Sequence, residues 1–231
     1  MPGGGARRYV EGMHGDVAEA SRRWAKSVAW RREAAVERVC TEPMPCYPLI
    51  RRHYSHFFHG HGRSGSVALY FRLGLSSFAE LFESTVPVDG GGGGGGGGGK
   101  RLVNDNDVVR HHIFMLECLF KHWGSVVEGK VGEQDTCYKM QRLVAVFDMQ
   151  GLTFGLARKI FGVVKRVIQI LEQHYVGRLD RIVILNAPNF KWVSLAKPAL
   201  ELLCYVSRLA SFFLFSYAQT EPNTTNCDNK K

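Results

Sequence analysis

Histidines are the first candidates for chemistry in this chain of 231 residues: His53, His56, His59 and His61 are bunched, and His111 and His112 form a pair. Neutral imidazoles bind zinc, but zinc sites want ligands on a rigid scaffold, usually mixed with cysteine or carboxylate. No H-E-x-x-H or C-x-x-C accompanies them, so they read as surface histidines in a loop, with no metal or cofactor expected. Gly60-His-Gly62-Arg-Ser-Gly65 satisfies G-x-G-x-x-G. A dinucleotide fingerprint must follow a strand and open a helix; here a strand follows, so a glycine-rich turn is expected. No G-x-S-x-G elbow is present, and no cysteine sits in an activating context. Asp148 ends an apolar run, where a catalytic carboxylate or a loop cap are both possible readings. An enzyme is not expected.

The elements that would position these residues are clearest in the C-terminal half. Arg142-Leu-Val-Ala-Val-Phe-Asp148 and Arg181-Ile-Val-Ile-Leu185 are short apolar, largely β-branched runs. Between them Ile160, Val163 or Val164, Val167 or Ile168, and Leu171 recur at helical spacing, the form of a βαβ unit. Both runs lack strict alternation, so both faces of their sheet should be covered. Each ends in a polar break, Asp148-Met-Gln-Gly151 and Asn186-Ala-Pro188, where ligand-facing loops of such sheets begin. Upstream, Asp16 should cap an amphipathic helix running to about Val39. Pro43, Pro45 and Pro48 impose an extended connection, residues 49–58 form a short helix or turn, and 66–73 form a strand. Asn104 and its neighbours cap a helix through about Trp123. Further helical and strand patterns fall at 192–205 and 212–217.

Composition bounds the rest. With 45% hydrophobic residues the chain buries a full core. Its net charge of +9 suits a polyanionic surface. The basic residues are scattered over helices and no RNP, zinc-finger or basic-zipper pattern appears, so nucleic acid is not expected as a partner. Six cysteines are widely spaced, and no apolar h-region opens the chain, which points to a reducing, cytoplasmic setting. Residues 199–215 are apolar, but Glu201 and Arg208 interrupt them, so a buried helix and strand fit better than a membrane span. Gly90 to Gly99 is an unbroken glycine run, read with its flanks, 88–100, as a flexible surface insertion.

In this order and spacing the motifs resemble those of the CRAL-TRIO lipid-binding domains, including phosphatidylinositol and phosphatidylcholine transfer proteins. Arg8-Tyr-Val-Glu-Gly-Met-His-Gly-Asp-Val17 resembles the family's R-F-L-R-A-R-x-F-D-V segment, and Ala29-Trp-Arg-Arg-Glu33 its helix end. Val67-Ala-Leu-Tyr-Phe-Arg-Leu-Gly74 is similar to the strand following G-R-P, and Asp148-Met-Gln-Gly151 to D-L-x-G. Tyr175-Val-Gly-Arg-Leu179, Ile184-Leu-Asn-Ala-Pro188 and Lys197-Pro198 match Y-P-E-R-L, I-x-N-A-P and K-P.

The resemblance implies an α/β fold: a mixed β-sheet flanked by helices, enclosing an apolar lipid cavity, with a short helical N-terminal region. Residues 8–45 would form that region, lacking its first helices, 46–217 the lipid-binding domain, and 218–231 a disordered tail. The lining would come from Tyr70, His122, Leu143, Ala145, Phe147, Ile182, Ile184 and Leu200, with Arg208 as the headgroup cation. A gate over 192–205 would bring Trp192, Leu195 and Leu203 to the bilayer and Lys197 to anionic headgroups. The implied partners are one phospholipid or other hydrophobic ligand and, transiently, an anionic membrane surface, met by a monomer at the cytoplasmic side. Departures alter the headgroup code. Val176 and Gly177 replace Pro-Glu, and Leu143 and Ala145 replace two hydroxyl residues, so an isoprenoid, sterol or tocopherol-like ligand is equally open. The alternative is a ligand-free scaffold, plugged by Phe147 and Phe154, that binds a protein such as a small GTPase regulator.

Overall fold

The computed structural model describes residues 4–62, 65–87, 99–128, 142–186 and 216–217. Helices α1 (Gly4–Gly12) and α2 (Val17–Glu33) open the chain. The Asp16 side chain accepts from the Glu19 backbone N–H at 2.9 Å, capping α2 as its sequence requires. That helix stops six residues short of Val39, because Ala35 adopts a left-handed φ of 49° and the chain tightens into a 3₁₀ turn at Val36–Arg38. Pro48 falls in the first turn of α3 (Tyr47–His53), where its missing N–H costs nothing.

Two antiparallel strands follow, β1 (His56–His61) and β2 (Val67–Arg72), joined by the glycine-rich turn. Gly62 donates to the Ser66 carbonyl at 2.7 Å. A glycine run between two paired strands is a hairpin connection, not a phosphate cradle. After a 3₁₀ turn (Leu73–Leu75) and α4 (Phe78–Glu83), β3 (Thr85–Pro87) pairs antiparallel with β4 (Lys100–Leu102). The glycine run thus joins the two strands of a ribbon whose base is tied down. Arg101 clasps Asp107 with contacts of 2.6 and 2.7 Å.

Helix α5 (Asp105–Glu128) runs about five residues beyond Trp123. The expected βαβ unit then appears as β5 (Leu143–Asp148), α6 (Phe154–His174) and β6 (Leu179–Leu185). Thr153 caps α6 by accepting from the Leu156 N–H. The sheet order is β1-β2-β5-β6-β7, with β7 at Ser216–Tyr217 and every pairing after β1–β2 parallel.

Register assigns the faces. Val67, Leu69 and Phe71 of β2 stand opposite Leu143, Ala145 and Phe147 of β5, which stand beside Leu179, Ile182 and Ile184 of β6. All nine belong to or pack on one apolar core that also holds Val108 and Ile113 of α5 and Ile160 and Val163 of α6. Phe71 stacks on His112 of α5, which places that helix on this face. The other face carries Phe57, Tyr70, Val146 and Val183 as a transverse row.

The N-terminal helices lock onto the far side of this layer. Arg31 makes a bidentate 2.8 Å pair with Glu117 of α5, and the Tyr175 hydroxyl donates to the same carboxylate at 2.7 Å. Trp30 stacks on His174 with centroids 4.1 Å apart. Tyr9 of α1 donates to Ser27 at 2.7 Å.

Candidate functional site

The two sequence breaks meet at the C-terminal ends of the parallel strands. Asp148 Oδ1 accepts from the Gln150 N–H at 3.0 Å and from Asn186 Nδ2 at 2.8 Å, so one carboxylate caps its own loop and ties β5 to the end of β6. Asn186 turns the chain with φ 50°, a conformation short polar side chains tolerate. Arg72 approaches the other Asp148 oxygen at 3.8 Å. Gly151, at φ 76°, lies against Gly74, and a Cβ on Gly74 would come 2.0 Å from the Gln150 carbonyl oxygen. Asp148 is therefore a capping carboxylate held in a structural junction.

Of the expected lining, Leu143, Ala145, Phe147, Ile182 and Ile184 share one face, on the α5 side of the sheet. His122 is carried by α5 itself. Tyr70 does not join them. Its register partner is Val146, and its ring stacks on Phe57 at 5.2 Å on the opposite face. Successive strand residues alternate faces, so its neighbour Leu69 takes the α5 side, opposite Ala145. Phe154 is not a plug either, since it opens α6 at 41% exposure. Phe147 stacks on Phe71 at 5.1 Å and is half-buried. The gate (Trp192, Leu195, Lys197, Leu203), Leu200, Arg208 and the tail lie outside the described residues.

At the base of β6, the positions expected to hold an inositol headgroup are filled by helix packing. Gly177, at φ 71°, abuts the Arg8 side chain, and Val176 packs beneath Gly12 of α1. Neither supplies a carboxylate.

With this geometry in place, the comparison with known domains is decisive: residues 51–200 match the CRAL/TRIO domain. The chain belongs to the CRAL/TRIO domain family. It is similar in fold to the crystal structure of Sfh5, with a TM-score of 0.58 and 16% sequence identity, covering 92% of this chain and 62% of that one. The chain thus spans less than two thirds of that neighbour's length. No curated protein matches it. CRAL/TRIO membership makes this a lipid-binding fold at the coarse level.

One polar cluster in this CRAL/TRIO domain was not legible as such. The expectation of loop histidines is overturned for three of them, because His56, His111 and His112 are buried where β1 meets α5. Their ring nitrogens make two buried pairs that share Tyr54. His56 Nδ1 faces the Tyr54 carbonyl at 2.9 Å and His112 Nδ1 the Val108 carbonyl at 2.8 Å, so both nitrogens carry hydrogen. The Tyr54 hydroxyl then donates to His112 Nε2 at 3.0 Å, and His111 Nε2 donates to His56 Nε2 at 2.9 Å. Burial pulls His56 and His112 down to about 4 and His111 to about 2, so all three are neutral at physiological pH. Their only sequence signal was the bunching of histidines that a zinc reading would also use. Among the described residues no group of three or more ligands could hold a metal.

Proposed function

We propose that this chain binds one hydrophobic ligand, a phospholipid or another apolar lipid, and transfers or presents it between membranes without covalent chemistry. The observation that carries the reading is the sheet face turned away from α5 and α6. There Tyr70, Val146 and Val183 form an apolar row across β2, β5 and β6 that acyl or polycyclic tails could cover. The Ala145 and Ile182 face is filled by α5 and α6. Burying tails there is worth about 0.8 kcal/mol per CH₂ group, enough to compete with a bilayer. Residues 192–205, between β6 and β7 in sequence, would serve as the gate over that row. Trp192, Leu195, Leu200 and Leu203 would meet the bilayer, and Lys197 and Arg208 its anionic headgroups. Leu143, Ala145, Val176 and Gly177 offer no side-chain donor or carboxylate, which favours a ligand with a small polar head. Among the described residues no helix is long and apolar enough to cross a membrane.

The second reading, a scaffold that binds a protein partner without a ligand, draws on the tight packing of Leu143 and Ala145, 2% and 3% exposed. Organic extraction of the purified full chain, followed by mass spectrometry and a vesicle-to-vesicle exchange assay, separates the two. Stoichiometric lipid that exchanges with vesicles supports the carrier. Folded protein that neither retains nor takes up lipid removes it in favour of the scaffold.

A further inference from the structure

Cys40 and Cys118 are 78 residues apart in sequence, yet their sulfurs lie 3.3 Å from each other. Cys40 follows the 3₁₀ turn at Val36–Arg38, and Cys118 projects from the middle of α5. Both are free thiols and partly exposed, whereas Cys46 is buried. The approach is held from both sides. Before Cys40, Glu37 pairs with Lys121 of α5 at 3.5 Å; after it, Glu42 pairs with Arg110 of the same helix at 2.6 Å. The Arg31–Glu117 pair adds a buried tie one residue from Cys118. Two thiols bracketed in this way have a high effective concentration for one another.

We propose that Cys40 and Cys118 form a reversible intramolecular disulfide that staples the N-terminal helical layer to α5. The co-reactant is a low-molecular-weight disulfide such as oxidised glutathione. One cysteine thiolate attacks it, forming a mixed disulfide and releasing one glutathione thiol. The second cysteine thiolate then attacks the protein sulfur of that mixed disulfide and expels the second glutathione thiol. The two cysteines lose two electrons and two protons, and one glutathione disulfide becomes two thiols. Burial, with Cys40 alongside, pushes the Cys118 thiol up to about 12. Thiolate is therefore scarce at neutral pH, and closure is slow and accelerates with rising pH.

The test is equilibration of the reduced full chain in glutathione buffers of graded ratio, with acid quenching and peptide mapping. The expected product has lost two hydrogens and contains a peptide pair joining Cys40 to Cys118, with a ratio of oxidised to reduced chain inversely proportional to the squared thiol concentration divided by the disulfide concentration of glutathione. Its denaturation midpoint rises, because linking residues so distant in sequence restricts the unfolded chain. Cys40→Ser forms no such pair and shows no oxidation-dependent rise, while Cys46→Ser behaves as the parent does. Thiols that stay reduced, glutathione adducts that persist at the plateau, or a cross-link to any other cysteine overturn the proposal. The mapping on the parent chain decides the matter even if a variant folds poorly.

Discussion

Gly74 shows how a single position carries the junction on which the strand ends depend. A Cβ there would lie 2.0 Å from the Gln150 carbonyl oxygen and 2.5 Å from Gly151 C and Leu152 N. These neighbours are backbone atoms, so no side-chain rotation relieves the clash, and the loop after β5 must move. Gly74→Ala should destabilise the fold by about 1–3 kcal/mol, the range for overpacking a close contact. Gly155 provides the opposite sign. It lies in the first turns of α6 with nothing within 4 Å of its would-be Cβ. Gly155→Ala should stabilise by about 0.5–1 kcal/mol through reduced backbone entropy. Urea denaturation of both variants reads the contrast, and equal effects would refute the junction's tight packing. The glycines of the L-G and D-x-x-G motifs are thus two halves of one contact, invisible to a reading that takes motifs singly.

At the level of elements, β1 and α5 are joined by the buried imidazoles, and their protonation sets an acid limit on stability. Unfolded histidine titrates near its ordinary value of about 6.5, while His56 and His112 in the fold stay neutral to about 4 and His111 to about 2. Burial similarly holds His174, stacked on Trp30, down to about 4. Between those limits the unfolded chain binds more protons, so stability is intact above about pH 7 and falls as pH drops from about 6.5 towards 4. Groups facing the cluster include Arg51, which donates to the His56 carbonyl at 3.0 Å, and Tyr54 and Tyr47. The carboxylates of Glu19, Glu37 and Asp107 are held below their ordinary values, so their contribution is lost only at lower pH. Chemical denaturation at about pH 7.5 and about pH 5 should show a clear loss at the lower value, with a shallower slope for His112→Phe. A midpoint unchanged across that interval would refute the neutral cluster. The βαβ unit was legible because long β-branched runs and a helical period report directly on burial. Strand β1 was not, because His-Phe-Phe-His-Gly-His is an edge strand with five exposed residues and shows no alternation. The histidine cluster escaped for a related reason, since His56 is buried by a partner 55 residues away in sequence. Tyr70 and the Leu143 row were grouped although they take opposite faces, because motif spacing does not report which side of a strand a residue takes.

Across the whole molecule the charge distribution bears on how a carrier would meet a membrane. Many acidic residues are engaged in ion pairs, some exposed and some buried: Glu19 holds Arg22 and Arg23, Glu37 and Glu117 hold Arg31, Glu42 holds Arg110, and Asp107 holds Arg101. Each pair uses a cation as well as an acid, and the net charge of +9 is the excess left to attract an anionic surface. Under the carrier reading, lipid transfer should be faster to vesicles rich in phosphatidylserine than to neutral phosphatidylcholine vesicles. That advantage should shrink as screening shortens from about 10 Å at 0.1 M salt to about 3 Å at 1 M. A diffuse field alone would make all surface lysines equivalent, whereas a gate at 192–205 would not. A basic residue seated at an anionic surface is worth about 1 kcal/mol, so Lys197→Gln should weaken vesicle binding by roughly fivefold. Lys26→Gln, on α2 in the N-terminal layer, should leave it close to the parent value. Co-sedimentation with vesicles of both compositions, at low and high salt, measures all of these differences. Equal losses for the two variants would remove the gate from the membrane contact while leaving the attraction intact, and indifference to vesicle charge would remove the attraction as well.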